Sequence, residues 1–474
     1  MEKQFETNIH SIMRSNGFYR FDRFIIEEMG FDIEGLEENE IKELRHHALL
    51  EFRKKTGRNN IATLPTIRRW FGTNSYRRPS REQVYKICFA LGADREKTAE
   101  YLTIGLGEPC FQINDYSEMI FLYGIDNKLT YEDCEQMIAM FEESMGEDIS
   151  FDGIHPTDEM WSLYEAKMNL PKEKFMQWMI SHAEWFRGYS CTMLRYVKTI
   201  KSKIVKEIKY DSSKRLEDLL KEAGYYAWRK VHNDDKSERI MIQNFVKSYK
   251  GSKFYKVSES LGQNILELCN IVYETRETNR KVLDTIYSPI KRTWKQKRIN
   301  PDEPLYVMGE KYMSDLLRVP MWKEKMINCQ RALRILSKIN ENNKTPDWIL
   351  NLCKDLQGDC NMMFDTVSGA KHIINEYMRE NQRRCILLQR NDLMPMILYL
   401  AQSKYAHEHP NEYKKDEAKI AFVTLADTVL TACYMEPFNE KYELDALLST
   451  CFQEDEMYSY SDLLDVYFER ERSE

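Results

Sequence analysis

A cluster of arginines is the part of this chain whose residue types and spacing suggest a chemistry. Five of them fall within fourteen residues, and polar side chains stand beside them. A guanidinium group donates two parallel hydrogen bonds to guanine O6 and N7, and it also pairs with phosphate oxygens. The pattern therefore predicts a contact with base-pair edges and with a phosphate backbone. The candidate residues are Thr63, Thr66, Arg68, Arg69, Asn74, Arg77, Arg78 and Arg81.

Three short helices are predicted to hold these side chains. Apolar residues recur at helical spacing between positions 40 and 56, and Gly57 ends that first helix. The second helix begins near Thr63, because a proline two residues on is tolerated in a first turn, and it stops at Gly72. Ser80 and Gln83 form a capping box for the third. The arginines therefore lie on the second helix, in the turn after it and at the start of the third.

The residues after the third helix are typical of a helix end and a new helix start. Gly92 suits a left-handed stop, and Asp94 can cap a further helix.

The second helix is in the position of a recognition helix. The start of a recognition helix enters the major groove, so base contacts are predicted for Thr66, Arg68 and Arg69. Phosphate contacts, which set register without reading sequence, are predicted for Arg77, Arg78 and Arg81. The alternative interpretation is a solvated basic face on a packing helix.

The segment from Thr66 to Leu102 resembles the second half of a lambda-repressor-like, Cro/C1-type helix-turn-helix domain. The residues that carry the resemblance are Arg77-Arg78-Pro79-Ser80 and Phe89-Ala90-Leu91-Gly92. It implies base contacts by Thr66, Arg68 and Arg69, and backbone contacts by Arg77 and Arg78. The preceding helices depart from the pattern, because the chain breaks at Gly57. They are either rearranged, or the module has kept the fold and lost the DNA contact. The whole chain is also similar to bacterial all-helical proteins that begin with such a module.

Charge is distributed unevenly along the chain. Residues 41–97 contain 14 Lys and Arg against 5 Asp and Glu, a net charge of +9, which leaves −16 for the remainder of a chain whose total is −7. A polyanion would meet the basic segment favourably and the remainder unfavourably. Contact with double-stranded DNA should therefore be local. A second basic cluster, Lys291–Arg298, contains Trp294 and is either a nucleic-acid contact or a solvated helix end.

Composition predicts an all-α fold. The chain of 474 residues has only 18 Gly and 13 Pro but 24 Met, which favours long helices with few tight turns. Its length exceeds what one hydrophobic core usually serves, so several helical units are expected. The predicted units are an N-terminal helical extension (1–39), a helix-turn-helix-like module (40–125), an acidic linker (126–160), a central helical region (161–300) and a C-terminal helical region (301–474).

Two patterns leave alternatives open. The run from Ala99 to Ile120 is echoed from Ala426 to Leu447, each with a Glu-Pro pair in the middle. This is either a duplicated helix-loop-helix unit or a chance similarity between two amphipathic pairs. The acid-rich stretch from Glu142 to Glu159 is either a solvated linker or a segment that folds over the basic module and competes with DNA.

Motifs of catalysis and metal binding are absent from the sequence. There is no Walker A loop, no G-x-G-x-x-G, no H-E-x-x-H and no G-x-S-x-G. The 11 cysteines include no C-x-x-C pair, so reduced thiols are expected, and the histidine pairs His46-His47 and His407-x-His409 lack a partner set for zinc. We therefore expect no enzyme activity, no metal and no cofactor. Without an export signal or a long apolar run, we expect a cytoplasmic protein that does not enter membranes.

Two functions remain in competition. The first is a DNA-binding transcriptional regulator whose C-terminal helices bind a protein or peptide partner, and whose homodimer would place two recognition helices about 34 Å apart. The second is a helical interaction scaffold of a bacterial defence or toxin-antitoxin-like system, without specific DNA binding. An enzyme whose residues are assembled only in space is a third possibility.

Overall fold

The computed structural model describes residues 2–15, 17–57, 61–145, 155–232, 234–248, 258–274, 279–288, 303–357 and 365–473. Within these ranges the chain forms helices and no strand, apart from two isolated bridges between single residues. The all-α fold class predicted from composition is therefore confirmed. Both Lys291–Arg298 and the segment 146–154 lie outside the described residues.

The described helices are numbered in chain order. Ten precede the longest helix: α1 (Glu2–Arg14), α2 (Phe21–Glu28), α3 (Glu38–Thr56), α4 (Leu64–Trp70), α5 (Arg81–Leu91), α6 (Arg95–Glu100), α7 (Tyr116–Asp126), α8 (Tyr131–Ser144), α9 (Thr157–Lys167) and α10 (Lys172–Ser181). The longest helix, α11 (Cys191–Glu222), is followed by α12 (Tyr225–Val231), α13 (Glu238–Ser248), α14 (Glu259–Tyr273), α15 (Asn279–Tyr287), α16 (Glu310–Leu317), α17 (Val319–Ser337), α18 (Asp347–Gln357) and α19 (Val367–Asn381). The last four are α20 (Arg390–Glu408), α21 (Lys415–Ala432), α22 (Glu443–Ser449) and α23 (Tyr460–Ser473).

Local signals set the helix ends in the basic region. The Ser80 side chain accepts a hydrogen bond from the Gln83 backbone N–H, and the reciprocal bond completes the predicted capping box. Gly92 ends α5 in the left-handed conformation with φ of 66°. The Asp94 carboxylate accepts from the Lys97 N–H and caps α6. These predictions are confirmed because caps depend on residues within one turn of each other.

Four apolar clusters hold the helices together. The N-terminal core joins side chains of α2 to α10, and the C-terminal core joins α1, the first half of α11, α15, α16 and α20 to α23. Two smaller clusters join the end of α11 to α12–α14, and α17 to α18 and α19. The basic segment therefore shares one core with α2 to α10.

Helix α1 belongs to the predicted N-terminal extension (1–39), but it does not pack onto the basic module. Its Phe5 and Ile9 are buried in the C-terminal core. The Phe5 ring stacks on Tyr458 with ring centroids 4.0 Å apart. Helix α2 and the residues after it, including Met29 and Ile33, join the N-terminal core. The predicted extension is therefore divided between the two cores and does not form one unit.

The stretch 126–160 contains helices where a linker was predicted. Along α8, Cys134, Met137, Ile138 and Phe141 are buried in the N-terminal core. They recur at helical spacing, so the acids that suggested a linker mostly occupy the remaining faces of an amphipathic helix. The exception is Glu142, which is buried and binds the guanidinium of α17 residue Arg334. The linker prediction was wrong here because it counted acidic residues without asking which face of a helix they occupy.

A largely buried arginine opens α5 and holds the loop that precedes α7. The Arg81 guanidinium donates to the backbone oxygens of Pro109 and Cys110, each at 2.7 Å. It also makes a two-pronged ion pair with Glu118 of α7, with both N–O distances 2.7 Å. The same carboxylate accepts from the Gln112 backbone N–H at 2.7 Å. These five residues are called the Arg81 clamp.

The C-terminal half contains a second clamp of the same design. Arg390, the first residue of α20, donates to the backbone oxygens of Glu436 and Pro437 and pairs with Asp445 of α22. The Asp445 carboxylate accepts from the Asn439 backbone N–H at 2.8 Å. These five residues are called the Arg390 clamp. Its loop and carboxylate members keep the sequence spacing of the Arg81 clamp: Glu436 corresponds to Pro109, Pro437 to Cys110, Asn439 to Gln112 and Asp445 to Glu118.

The echo seen in the sequence thus corresponds to two helix–loop–helix units of matching geometry. The Glu-Pro pairs that suggested it are displaced by one residue from the structural register. The two loops also contact each other, because the Cys110 backbone N–H donates to the Tyr434 oxygen at 2.8 Å. The Thr103 hydroxyl donates to the Glu436 carboxylate at 2.9 Å. The matched loops therefore form part of the junction between the N-terminal and C-terminal cores.

A candidate nucleic-acid interface and an adjoining cleft

The eight predicted contact residues divide into two groups. Five are exposed and one, Thr66, is partly exposed. The exposed five are Thr63, Arg68, Arg69, Asn74 and Arg77. The other two, Arg78 and Arg81, have side chains only 14% and 13% exposed. The structure therefore brings six of the eight residues to the surface.

Helix α4 is positioned by its apolar face and by the turn after it. Ile67 and Trp70 are buried in the N-terminal core, which leaves the arginines between them outside. The backbone oxygen of Arg68 accepts from the Thr73 N–H, and that of Arg69 accepts from the Arg77 N–H, both at 3.1 Å. These two bonds fix the start and the end of the turn relative to α4.

The turn also requires a glycine. Gly72 has a φ of 62°, and an added Cβ would lie 2.9 Å from a carboxylate oxygen of Asp22. That carboxylate is fully buried and pairs with Arg20 at 2.6 Å and with Arg45 at 3.1 Å. Arg45 also pairs with Glu38 at 2.8 Å. A buried ion network therefore lies directly beneath the turn, and Arg45 adds nothing to the external positive charge.

Several cations of the basic segment have no carboxylate partner. In the described part of residues 41–97, six exposed Lys and Arg side chains lie in no ion pair, whereas seven others are paired. The unpaired six are Lys42, Arg53, Lys55, Arg68, Arg69 and Arg77. All of them except Lys42 lie at the end of α3, on α4 or in the turn after α4. The surface charge is therefore smaller than the net charge of the segment suggests, but it is concentrated.

Arg78 and Arg81 have internal partners where phosphate contacts were predicted. Arg78 pairs with Glu108 at 2.8 Å and donates to the Leu106 oxygen at 2.5 Å. Burial would lower the pKa of Arg81, but the adjacent Glu118 carboxylate raises it well above its usual value. Both arginines hold the loop 106–115 against α5. No sequence spacing announces this role, because their carboxylate partners come from a different helix and loop.

A cleft of about 1310 Å³ adjoins the exposed arginines. One border is polar and is formed by α4, the turn after it and the start of α5, including Thr66, Arg69 and Arg77. The other border is formed by α11, α17 and the segment 382–388. Its apolar members include Met193, Leu194, Val197, Val319, Met326 and Ile386. This cleft is called the α4–α11 cleft.

The unneutralised charge around the α4–α11 cleft is positive. Arg69, Arg77 and Arg383 are exposed lining residues, and within the described part of the chain none of them lies in an ion pair. The acids that line the cleft have partners: Glu108 and Glu118 bind the two buried arginines, Asp115 lies 3.8 Å from Lys323, and Glu82 pairs with Lys86 at 2.7 Å. Three guanidinium groups are thus available to an anion.

A buried guanidinium lies next to the cleft lining. Arg187 is only 8% exposed, and its Nε and Nη2 atoms have no hydrogen-bond partner. Its Nη1 atom lies 3.4 Å from the hydroxyl of the lining residue Tyr189, to which it donates. The residue after it, Gly188, also lines the cleft. A buried cation without a full set of partners is costly, which strengthens the local preference for an anion.

The sequence reasoning missed the far border of the cleft. Arg383 belongs to an adjacent pair of arginines that drew no attention, and Arg187 opens a run to Lys206 that contains no acid. Both signals were available, but neither indicates that these residues face α4. The cleft is formed by separate segments between Thr66 and Leu388. Their closeness in space is a property of the tertiary fold.

The acids predicted to compete with DNA have other partners where they are described. Glu142 binds Arg334 and accepts from the Tyr116 hydroxyl at 2.7 Å, and Asp158 accepts from the Tyr434 hydroxyl at 2.5 Å. In the described part of the stretch from Glu142 to Glu159, no acid pairs with an arginine of α4. The structure therefore gives the autoinhibition hypothesis no supporting contact.

Among the described residues, all ten cysteines are free thiols and no group of three His, Cys, Asp or Glu side chains could hold a metal ion. None of the helices in the described ranges combines the length and apolarity needed to span a bilayer.

Comparisons with protein-family models, with curated proteins and with solved structures find no match for this chain.

Proposed function

We propose that the chain is a non-enzymatic DNA-binding transcriptional regulator with a helical sensor or assembly region. The observation that carries the proposal is the set of exposed, unpaired arginines on and after α4: Arg68, Arg69 and Arg77. Their neighbours Arg78 and Arg81 show that the fold can neutralise an arginine internally where it needs one. Three arginines left without carboxylates on one short segment therefore favour an external anion.

The arrangement suits the two kinds of contact that duplex DNA offers. Arg68 and Arg69 are consecutive exposed residues of α4, and guanidinium groups read guanine in the major groove. Thr63, Thr66 and Asn74 supply further hydrogen-bonding side chains at the same surface. The exposed Arg53 and Lys55 in the last turn of α3 would supply contacts to phosphates, which orient a protein without reading sequence.

The proposal is tested by selecting genomic DNA fragments with the purified full-length protein at two salt concentrations. We expect a small set of enriched sequences whose affinity falls as salt rises, because each neutralised phosphate releases counterions. Arg68→Ala and Arg69→Ala should each cost about 1–3 kcal/mol of binding and relax the sequence preference.

A matched control is Arg215→Ala, which removes an exposed arginine of α11 that lies in no described ion pair. It should leave the enriched set unchanged. Absence of any enriched sequence, or equal binding by Arg68→Ala and Arg215→Ala, would contradict the proposal.

The alternative is a protein-interaction scaffold, and the α4–α11 cleft favours it. A scaffold would use the cleft for a protein partner and leave the α4 arginines without a specific role. Arg68→Ala separates the two functions, because Arg68 lies outside the cleft lining. A scaffold keeps its partners when this residue is changed and forms no sequence-specific DNA complex.

A further inference from the structure

We infer that the α4–α11 cleft binds a linear peptide segment that carries both carboxylates and apolar side chains. The carboxylates would lie on the guanidinium groups of Arg69, Arg77 and Arg383, and the apolar side chains against α11, α17 and the segment 386–388. Peptide binding itself follows from the cleft alone. Its effect on DNA, described below, rests on the proposed function.

The dimensions of the cleft favour a peptide over a small molecule. Pockets for small ligands usually enclose about 300–1,000 Å³, whereas this cleft encloses about 1310 Å³. Its lining comes from residues 66–118, 188–197, 316–330 and 382–388. A site bordered by four separated segments suits an extended ligand that contacts each of them in turn.

The chemistry of the lining defines the ligand class. The apolar border would be satisfied by leucine-like side chains, whose burial contributes roughly 25 cal/mol per Å² of apolar surface. A ligand that covers the unpaired guanidinium groups removes them from water and must offer anions in return, and planar carboxylates match their geometry in two-pronged pairs. A purely acidic ligand would leave the apolar border exposed to water. A purely apolar ligand would bury the arginines without hydrogen-bond partners. Only a segment with both kinds of side chain satisfies the whole cleft.

Two of the three guanidinium groups come from residues whose backbones are hydrogen-bonded to each other. The backbone bond from the Arg77 N–H to the Arg69 oxygen joins the residues that bear them. The third, Arg383, lies in the 3-10 turn Gln382–Arg384 on the other border. Arg187 is a further guanidinium without a full set of partners, and it directly precedes the lining residue Gly188 in the sequence. Anchors on both borders are what a ligand that crosses the cleft needs.

Peptide and DNA would share part of their binding surface. Thr66, Arg69 and Arg77 line the cleft and also belong to the proposed DNA contact. A carboxylate on Arg69 or Arg77 removes the charge that a phosphate or guanine would use. If the proposed function holds, the peptide is therefore an effector that competes with DNA, and DNA weakens peptide binding by the same factor.

The test uses the full-length protein and a display library of short random peptides. We expect selected peptides to combine Asp or Glu with large apolar residues. Arg383→Ala should weaken a selected peptide about tenfold, the loss of roughly one charge-assisted hydrogen bond. Leu194→Glu, which places a carboxylate on the apolar border, should weaken it at least as much. Arg379→Ala is the matched control, because this exposed arginine lies nearby on α19 but outside the cleft lining.

The outcomes separate the two proposals. Selected peptides without acids, or peptides that bind Arg383→Ala and Leu194→Glu as tightly as the native chain, would overturn the inference whatever DNA does. Peptide binding that depends on Arg383, in a protein that enriches no DNA sequence, would support the cleft and reject the regulator. Arg68→Ala should reduce DNA binding while leaving peptide affinity unchanged, and an equal loss of both would contradict a peptide site that excludes Arg68.

Discussion

The Arg81 clamp and the Arg390 clamp share one geometry, but the protein surrounds them differently. Glu118 accepts from Arg81, from the Gln112 N–H and from the Tyr85 hydroxyl at 2.8 Å. Asp445 accepts only from Arg390 and the Asn439 N–H among the described residues. The N-terminal clamp also has a second carboxylate, Glu108, 3.5 Å from Arg81.

The charge state of the two carboxylates follows from this difference. Burial would raise the pKa of Glu118, but the Arg81 charge and the hydrogen bonds it accepts hold that pKa below its usual range. Burial also raises the pKa of Asp445, and there Arg390 offsets only part of the rise. The comparison shows that further hydrogen-bond donors around a largely buried carboxylate add to the effect of the arginine beside it.

The largest difference should appear when the arginines are removed. Arg81→Met leaves Glu118 buried without a cation, and the loss of one partner of a buried pair costs about 3–5 kcal/mol. Arg390→Met should cost less, because Asp445 already has a raised pKa and takes up a proton more readily. Hydrogen exchange in α5 and α7, and in α20 and α22, measures each local stability. An equal or greater loss for Arg390→Met would contradict the comparison.

The first turns of α5 and α20 provide the next contrast. Each begins with a capping box, but its acceptor is the neutral Gln83 in α5 and the fully buried Asp392 in α20. Asp392 accepts from the hydroxyls of Tyr306 and Tyr312. Burial raises the pKa of Asp392 to about 6.

This raised pKa gives α20 a pH dependence with a definite sign. The folded state holds the Asp392 proton more tightly than the unfolded state, whose pKa is near 3.9. Stability is therefore lost as pH rises from about 4 to 6, by up to roughly 3 kcal/mol. Asp392→Asn should remove this slope from hydrogen exchange in α20. The same slope in the native chain and in Asp392→Asn would assign it to another group.

Conservative amide substitutions sharpen the comparison of the carboxylates. Glu118→Gln should cost about 1–3 kcal/mol, because it removes the anion that Arg81, Tyr85 and the Gln112 N–H share. Asp445→Asn should cost less. The lowered pKa of Glu118 means that its contribution is present above its unfolded pKa and is lost as pH falls through the folded value, whereas protonation of Asp445 favours the folded state. Acid unfolding followed separately at α7 and α22 checks both directions.

The same contrast explains what the sequence could reveal. The capping box of α5, its glycine stop and the cap of α6 were predictable, because each depends on residues within one helical turn. The inward direction of Arg78 and Arg81 was not, because Glu108 and Glu118 lie many helical turns further along the chain. The helical spacing of apolar residues in α8 was present in the sequence, but the number of acidic residues led to the prediction of a linker.

The candidate site was predictable only on its near border. Arg68, Arg69 and Arg77 are exposed because they alternate with the buried Ile67 and Trp70 of a short helix or lie in the polar turn after it. Arg383 and the apolar face of α11 reach the same cleft through the packing of distant helices. No short-range pattern encodes that packing.

The smallest expected effect concerns a backbone position that the two loops share. Gly107 and Tyr434 occupy corresponding positions in the matched loops, and both have left-handed φ angles, 63° and 55°. A side chain in this conformation costs about 1–2 kcal/mol, which the glycine avoids. No heavy atom lies within 4 Å of a Cβ added at Gly107, so Gly107→Ala should lose only this backbone contribution. The loss should appear as faster hydrogen exchange in the loop 106–115. Gly17→Ala is the control, because Gly17 has no positive φ and its added Cβ would approach only Ser15 Oγ, at 3.9 Å. If Gly107→Ala is no more destabilising than Gly17→Ala, the shared left-handed position contributes nothing, and Tyr434 adopts it without cost.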